Sequence, residues 1–442
     1  MQSKREIHQT EMTLAPSLDA LVPRTHWLYR LNQVLDLGFV HESVRPCYCQ
    51  DNGRPSIDPE VIVRLFLLQA ITGIGSVRSL LEEVNLHMGY RWFIGYGLSE
   101  PLPDHSPLSK VMDRLGDTVF NEVFTRSIAQ CRASGLIDGK IVHVDATTIR
   151  ADLDANRVGT VDSPDPEARL GRFPGGKKAP GYKQATVADG QSRVVVGVKV
   201  FPANRADDTE MVSLIDEVRD HLGAAPEAVC GDMSYGSGQN RAALEERGIR
   251  LVSPAQKPVT CAGRDGFTVE DFSYDEQRDE FTCPAGAILR YIGLDTTRSG
   301  RRRYRASKAA CRDCVLRERC TRHQYRTIQV GSYHAALIRL RADSRTASFR
   351  QFYRSRAPVI EGVFAEAKQW HGLRRAWRRG LAKMRVQCLL IAAVMNFKRL
   401  AAAFIGFSVV LSISDAFRRL IRRFLTRSWR SNYSLAALTD NV

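Results

Sequence analysis

Ile141-Val142-His143-Val144-Asp145 and Ala228-Val229-Cys230-Gly231-Asp232 are the stretches whose reading decides the fold. Each is a short apolar run closed by an aspartate, and each reads as a strand with an acid at its carboxyl end. Between them, Tyr182 to Ala188 and Arg193 to Phe201 flank Asp189-Gly190, a hairpin signal. Asp207 to Leu222 reads as a helix, with Asp207-Asp208-Thr209 as its cap. Gln239 to Arg247 reads as a second helix closed by Gly248, and Arg250 to Ser253 as another strand. The order is β-β-β-α-β-α-β. In a mixed five-stranded sheet of this order the first and fourth strands are central neighbours, so Asp145 and Asp232 converge although 87 residues separate them.

Upstream, residues 1–135 read as a helical domain. Asp58-Pro59 opens a helix that runs to Gly73, and Ser76 caps a second carrying Val77, Leu80, Leu81 and Val84. Ser106-Pro107 starts a third, and Val119 to Ile128 mark a fourth. Short helices with tight turns suit a helix-turn-helix-like DNA-binding unit and equally a plain bundle. Residues 136–253 hold the strands described, interrupted by Arg157 to Pro180, a Gly/Pro/charge-rich stretch read as a flexible loop. Residues 254–340 read as an insertion with strand-like pieces and five cysteines. Residues 341–405 return to the core with a late helix, and 406–442 form a basic helical tail.

The 442 residues hold 64 Lys plus Arg against 48 Asp plus Glu, a net charge of +16 that calls for a polyanionic partner. From Ala367 to Arg430 there are fifteen basic residues and one acid, Asp415. The amino terminus lacks a basic-then-apolar signal pattern, and the apolar run Leu400 to Ser412 is too short to span a bilayer. The expectation is a cytoplasmic protein with no membrane partner, whose cysteines are thiols or metal ligands rather than a disulfide framework.

An acid after a strand is ordinarily a cap or turn former; the combination with a third acid changes this. Glu361 lies in the helix-forming stretch Val359 to Trp370, on the side of Phe364 and Lys368, and a helix packed on the sheet would bring it to both aspartates. Glu366 reads as an exposed helix position, and Asp152 and Asp154 as the lead-in to the loop. Three converging carboxylates repel one another unless a cation neutralises them, and oxygen donors select hard Mg²⁺ or Mn²⁺, two ions suiting phosphoryl displacement. The strand order, with a helix to follow, is that of an RNase H-like domain.

The chain resembles the DDE transposases of bacterial insertion sequences, in their IS-eleven-eighty-two-like branch, over roughly Ser56 to Leu400. The resemblance is carried by Pro55-Ser56-Ile57-Asp58-Pro59, Gly73 to Arg78, Pro103-Asp104-His105-Ser106, His143 to Ile149, Cys230 to Gly236, Tyr353 to Arg356, Val359-Ile360-Glu361, Phe364, Lys368 and Asn396. It implies catalytic and metal-binding roles for Asp145, Asp232 and Glu361, and phosphate contacts for Arg356 and Lys368. Four residues separate Arg356 from Glu361, one more than the usual signature has. It further implies DNA as partner, both terminal inverted repeats and target, with a homodimer or higher oligomer assembled on it. Arg374, Arg375, Arg378 and Arg379 flank Trp377 and suit phosphate contact, with Trp370, Trp377 and Trp429 available for base stacking. A metal-dependent endonuclease of the same fold, or an inactive DNA-binding remnant, are the alternatives.

Cys283, Cys311, Cys314 and Cys320 suit a structural zinc knuckle, with His323 close by. Against it stand the long spacing from Cys283, the rival Cys261 and the lack of a second Cys-x-x-Cys pair, so ordinary thiols remain the competing reading. Cys47 and Cys49 are too closely spaced for a finger, and Cys131, Cys230 and Cys388 read as small buried apolar residues.

Overall fold

The computed structural model describes residues 17–48, 56–256, 266–295 and 300–411. Cys49, Cys261, Arg418 to Arg430 and Trp429 lie outside the described residues. The chain divides into two compact units: residues 1–136 with 390–442, and residues 137–389.

In the first unit the caps dictate the helices. Asp58 accepts the Glu60 N–H at 2.7 Å and Pro59 sits at the first helical position of Pro59–Thr72, which Gly73 ends with φ 71°. Ser76 accepts the Ser79 N–H at 3.3 Å and starts Val77–Leu86. These two helices bend by 93° across Gly73 to Ser76. His105–Leu115 starts one residue before the predicted Ser106-Pro107, and Thr118–Ala133 contains Val119 to Ile128. Leu18–Leu21, Trp27–Val34, Val40–Val44 and Met88–Ile94 are further helices, too short for periodicity to reveal. The last described helix, Leu381–Leu411, is long and apolar enough over Leu381–Phe404 to cross a membrane, but 78% of that stretch is buried, as in a core helix. Asn396, on this helix, is fully buried and donates to Ser127 Oγ at 3.1 Å.

The second unit is mixed α+β. Its first sheet contains β1 (Ile141–Arg150), β2 (Arg169–Arg172), β3 (Lys178–Asp189), β4 (Val195–Pro202), β5 (Ala228–Cys230) and β6 (Arg250–Val252). The order is β2-β3-β1-β5-β6, with β4 also on β3. β3 runs antiparallel to β1 and β4, whereas β5 is parallel to β1 and β6. Gly197 lets the Met211–Leu222 helix lie flat on β4, since a Cβ there would meet Val218 Cγ2 at 2.6 Å.

Four sequence expectations are corrected here. β1 does not end at Asp145: the twelve-residue β3 carries the ladder on from Asp145↔Thr186 to Arg150↔Gly181, and Thr147, Thr148 and Ile149 suit a strand. The Arg157 to Pro180 stretch is not simply a flexible loop, because it contributes β2 and a buried Asp165 carboxylate that accepts the Tyr182 hydroxyl at 2.5 and 2.6 Å. The sheet therefore has six strands rather than five. Finally, the hairpin turn is longer than Asp189-Gly190, since Asp189 Oδ1 gathers the N–H groups of Gln191 and Ser192 at 3.1 and 2.8 Å and Arg193 takes φ 61°.

A second antiparallel sheet, β7 (Ser273–Asp275), β8 (Glu280–Thr282), β9 (Ile288–Asp295), β10 (Arg301–Ala306) and β11 (Thr327–Val330), runs in sequential order. Its core is small: Phe272, Phe281, Leu289, Tyr304, Ala306, Cys311, Ile328 and Val330.

Candidate active site

Three register pairs, Ile141↔Ala228, Val142↔Val229 and His143↔Cys230, join β1 to β5. The same offset, continued two residues, sets Asp145 beside Asp232. Asp232 leaves the strand and caps the turn Met233–Tyr235, accepting the Ser234 N–H at 2.9 Å. Burial pushes the Asp145 carboxyl above the usual range and the Asp232 charge adds to this, while the Ala146 N–H and the Arg356 guanidinium oppose it. Arg356 Nη1 stands 3.0 Å from Asp145 Oδ2, with side chains only 12% and 21% exposed. Such a half-buried pair resists losing either partner, because the survivor is left charged and poorly solvated.

The Arg356–Trp370 helix buries Val359, Ile360, Val363, Phe364 and Ala367. Lys368, at the border of that stripe, has its pKa lowered by burial and by Arg374, against the pull of Asp145. Glu361 lies seven residues, two turns, before Lys368 on the same side of the helix and is exposed. It is thus beside the buried stripe, not within it as the neighbouring Phe364 suggested. Gly362, a poor helix former, lies where a Cβ would come 3.1 Å from Arg193 Nη1. Glu366 is half-buried and faces His371 Nε2 at 3.6 Å, rather than being an exposed helix position. Among the described residues, no three His, Cys, Asp or Glu side chains stand together as a ready metal-binding group. The Asp145/Asp232 pair has the donor chemistry and mutual repulsion that suit a hard cation.

Sequence reasoning passed over several neighbours. Tyr235 is fully buried, its hydroxyl has no hydrogen-bond partner, and its pKa is pushed well up by burial and then by Asp145, Asp207, Asp232 and Asp208. Asp207 and Asp208 do not cap the following helix: they lie in the turn Asp207–Glu210, where Asp207 pairs with Lys183 at 2.7 Å and Asp208 accepts from Gln256 at 3.4 Å. The only available signal was Tyr235 itself, three residues after Asp232 in a quoted motif.

Two family models match the chain: "Transposase domain (DUF772)" over residues 16–114 and "Transposase DDE domain" over residues 282–401. The chain belongs to the insertion-sequence DDE transposases. The second match contains Glu361 and Lys368. No curated protein matches. Among solved structures, the piggyBac transposase synaptic complex with hairpin DNA is similar over 95% of this chain and 86% of that one, at 11% identity and a TM-score of 0.34. The Mos1 transposase paired-end complex with left transposon end is similar over 46% and 61%, at 15% identity and a TM-score of 0.16. The Mos1 mariner paired end complex with Mn covers 52% and 67%, at 16% identity and a TM-score of 0.17.

The arginine-rich segment of the transposase is held against the end of β1. Arg150 N–H donates to Arg374 O at 3.1 Å and Ala376 N–H to Arg150 O at 2.9 Å. Gln387, 2% exposed, accepts the Trp377 N–H at 2.9 Å and donates to Arg375 O at 2.9 Å and Gly372 O at 3.4 Å. Tyr182 Oη accepts the Gly380 N–H at 3.0 Å. Arg374, Arg375 and Arg379 are exposed and Arg378 is half-buried, while Trp370 is 61% exposed. Arg379 lies 3.7 Å from Asp152, whose side chain is largely exposed.

Proposed function

We propose that this transposase cuts and rejoins the ends of its own element, with an RNase H-like catalytic domain holding divalent metal through Asp145, Asp232 and Glu361. The register that sets Asp145 beside Asp232 carries this reading, supported by a strand order in which two parallel strands follow an antiparallel meander. When bound, two Mg²⁺ or Mn²⁺ ions neutralise the carboxylates and favour attack and departure of oxygens in an in-line phosphoryl displacement. The chain's own part is to hold the donors and the DNA. β1 and β5 fix the two aspartates, the Arg356 guanidinium opposes the upward push of burial on the Asp145 carboxyl, and Lys368 places a cation at the same border as Glu361. Arg374, Arg375, Arg378 and Arg379 contact phosphates, which requires the backbone anchoring given by Arg150 and Gln387. In the helical unit, the 93° bend across Gly73 to Ser76 suits a helix-turn-helix contact with DNA. A homodimer or higher oligomer assembled on terminal repeats, and membership of the IS-eleven-eighty-two-like branch, belong to the same proposal.

The test is cleavage and joining of labelled element ends with Mg²⁺ or Mn²⁺. Asp145→Ala, Asp232→Ala and Glu361→Ala each abolish strand cleavage and leave end binding largely intact. Full activity in Glu361→Ala, with loss in Glu366→Ala, moves the third place to Glu366.

A further inference from the structure

The four cysteines of the second sheet's subdomain come from separate elements and meet at one place. Cys283 follows β8, Cys311 lies in the short helix Lys308–Arg312, Cys314 follows that helix, and Cys320 ends Arg317–Cys320. All four are free thiols, and all four line one cavity of about 20 Å³, with Arg317 and Arg326 among its other walls. A volume of that order admits one small ion or one water.

The backbone around Cys283 is already shaped for a thiolate. Gly286, at φ 82°, closes a turn in which its N–H reaches Cys283 O at 2.8 Å, and the Ala287 N–H donates to Cys283 Sγ at 3.2 Å. An N–H aimed at sulfur favours the anion. Arg326 brings a guanidinium to the same place, donating to Cys320 O at 2.7 Å. Four sulfurs that repel when ionised, in a cavity that admits one small ion, is the situation a soft divalent cation resolves.

We propose that Cys283, Cys311, Cys314 and Cys320 form a structural zinc site that fastens the β8–β9 turn to the two short helices. As placed, no three of these side chains stand together as a metal-binding group. Each cysteine has a single side-chain torsion, and rotation about it is what draws the sulfurs on to the ion. The need is physical: among the described residues eight are buried in the core of this five-stranded sheet, with six partly buried hydrophobics against them, and a tetrathiolate site adds folding energy to so small a core. His323 is exposed and is not part of the cavity wall. The site has no part in phosphoryl transfer, so its failure leaves the carboxylate assignment standing.

The full chain, purified without chelator, is expected to carry close to one zinc per molecule by elemental analysis. Co²⁺ exchanged into the unmutated protein gives sulfur-to-cobalt charge-transfer absorption with the intensity of several thiolate ligands, a readout that needs no variant to fold. Chelator exposes four additional thiols to a disulfide reagent. Cys311→Ser with Cys314→Ser loses the metal, whereas Cys47→Ser keeps it. Protein with no zinc and no cobalt–thiolate absorption, whose four thiols react alike with and without chelator, overturns the proposal, as does a disulfide between any two of them in the freshly purified chain.

Discussion

Replacing Gln387 by Leu tests whether the arginine segment acts through its fixed backbone. Leucine nearly preserves the volume of this buried side chain, so no large cavity opens, but the Trp377 N–H and the Arg375 carbonyl lose their 2.9 Å partners. The 3.4 Å contact with Gly372 contributes little. Each orphaned backbone group costs about 1–3 kcal/mol if it stays buried. The segment limits that loss by swinging outward into water, so a shift of about 2 kcal/mol towards the open form is expected, about thirty-fold in population. Amide hydrogen exchange across 372–380 accelerates by that factor, while exchange in β1 beyond its Arg150 end changes little. DNA binding weakens, and its salt dependence becomes shallower as arginine–phosphate contacts are lost, by about 0.9 log units per contact on duplex DNA. Unchanged exchange across 372–380 together with an unchanged salt slope refutes the reasoning, because the arginines would then work without their anchor.

Two further outcomes follow from packing and burial. Gly181→Ala places a Cβ 2.2 Å from Ile149 O and 2.7 Å from Phe173 Cζ, so β1 and β3 must separate; a loss of about 1–3 kcal/mol, read as a lower midpoint in urea, is expected, and an unaltered midpoint shows the ladder is softer than its geometry implies. His334 is held down to about 4 by burial, with Arg341 adding to this. The folded state therefore binds fewer protons than the unfolded state between pH 6.5 and 4, so the stabilisation is complete above pH 6.5 and falls away as pH drops towards 4, by about 2 kcal/mol at pH 5. His334→Phe, set between Tyr274 and Phe281 and replacing an Nε2 that has no partner, flattens that acid limb in urea titrations at pH 7 and pH 5; an unchanged slope would falsify the assignment.

Legibility followed the range of the interactions. The Asp58-Pro59 start, the Gly73 stop and the Ser76 cap are local, and each was readable from a few residues. The offset joining Asp145 to Asp232 was readable because both strands are short apolar runs with an acid two places beyond their paired segment. Cys131, Cys230 and Cys388 are fully buried, as their surroundings suggested, and burial pushes the first two thiols up to about 12. What escaped was tertiary. β2 has little strand propensity and exists because β3 offers an edge, and Asp165 is buried only because Tyr182 lies opposite. Asp207 and Asp208 looked like a cap because their other partners, Lys183 and Gln256, are distant in sequence. Glu361 sits outside the buried stripe of its helix, which no periodicity centred on Phe364 separates from a position inside it.

The first unit draws on both ends of the chain, residues 1–136 and 390–442, with 253 residues between them. During synthesis at about 5–20 residues per second, the early helices emerge roughly 13–50 seconds before the wall they need. Ser127 and Cys131, both fully buried in the finished protein, wait through that interval for Asn396, whose amide donates to the Ser127 hydroxyl and whose carbonyl accepts from the Cys131 thiol. A message broken anywhere within the intervening stretch yields a chain whose amino-terminal unit is never completed. Only a ribosome that has read past residue 389 releases that unit with its wall in place, so completion of the first unit is tied to synthesis of the whole second unit.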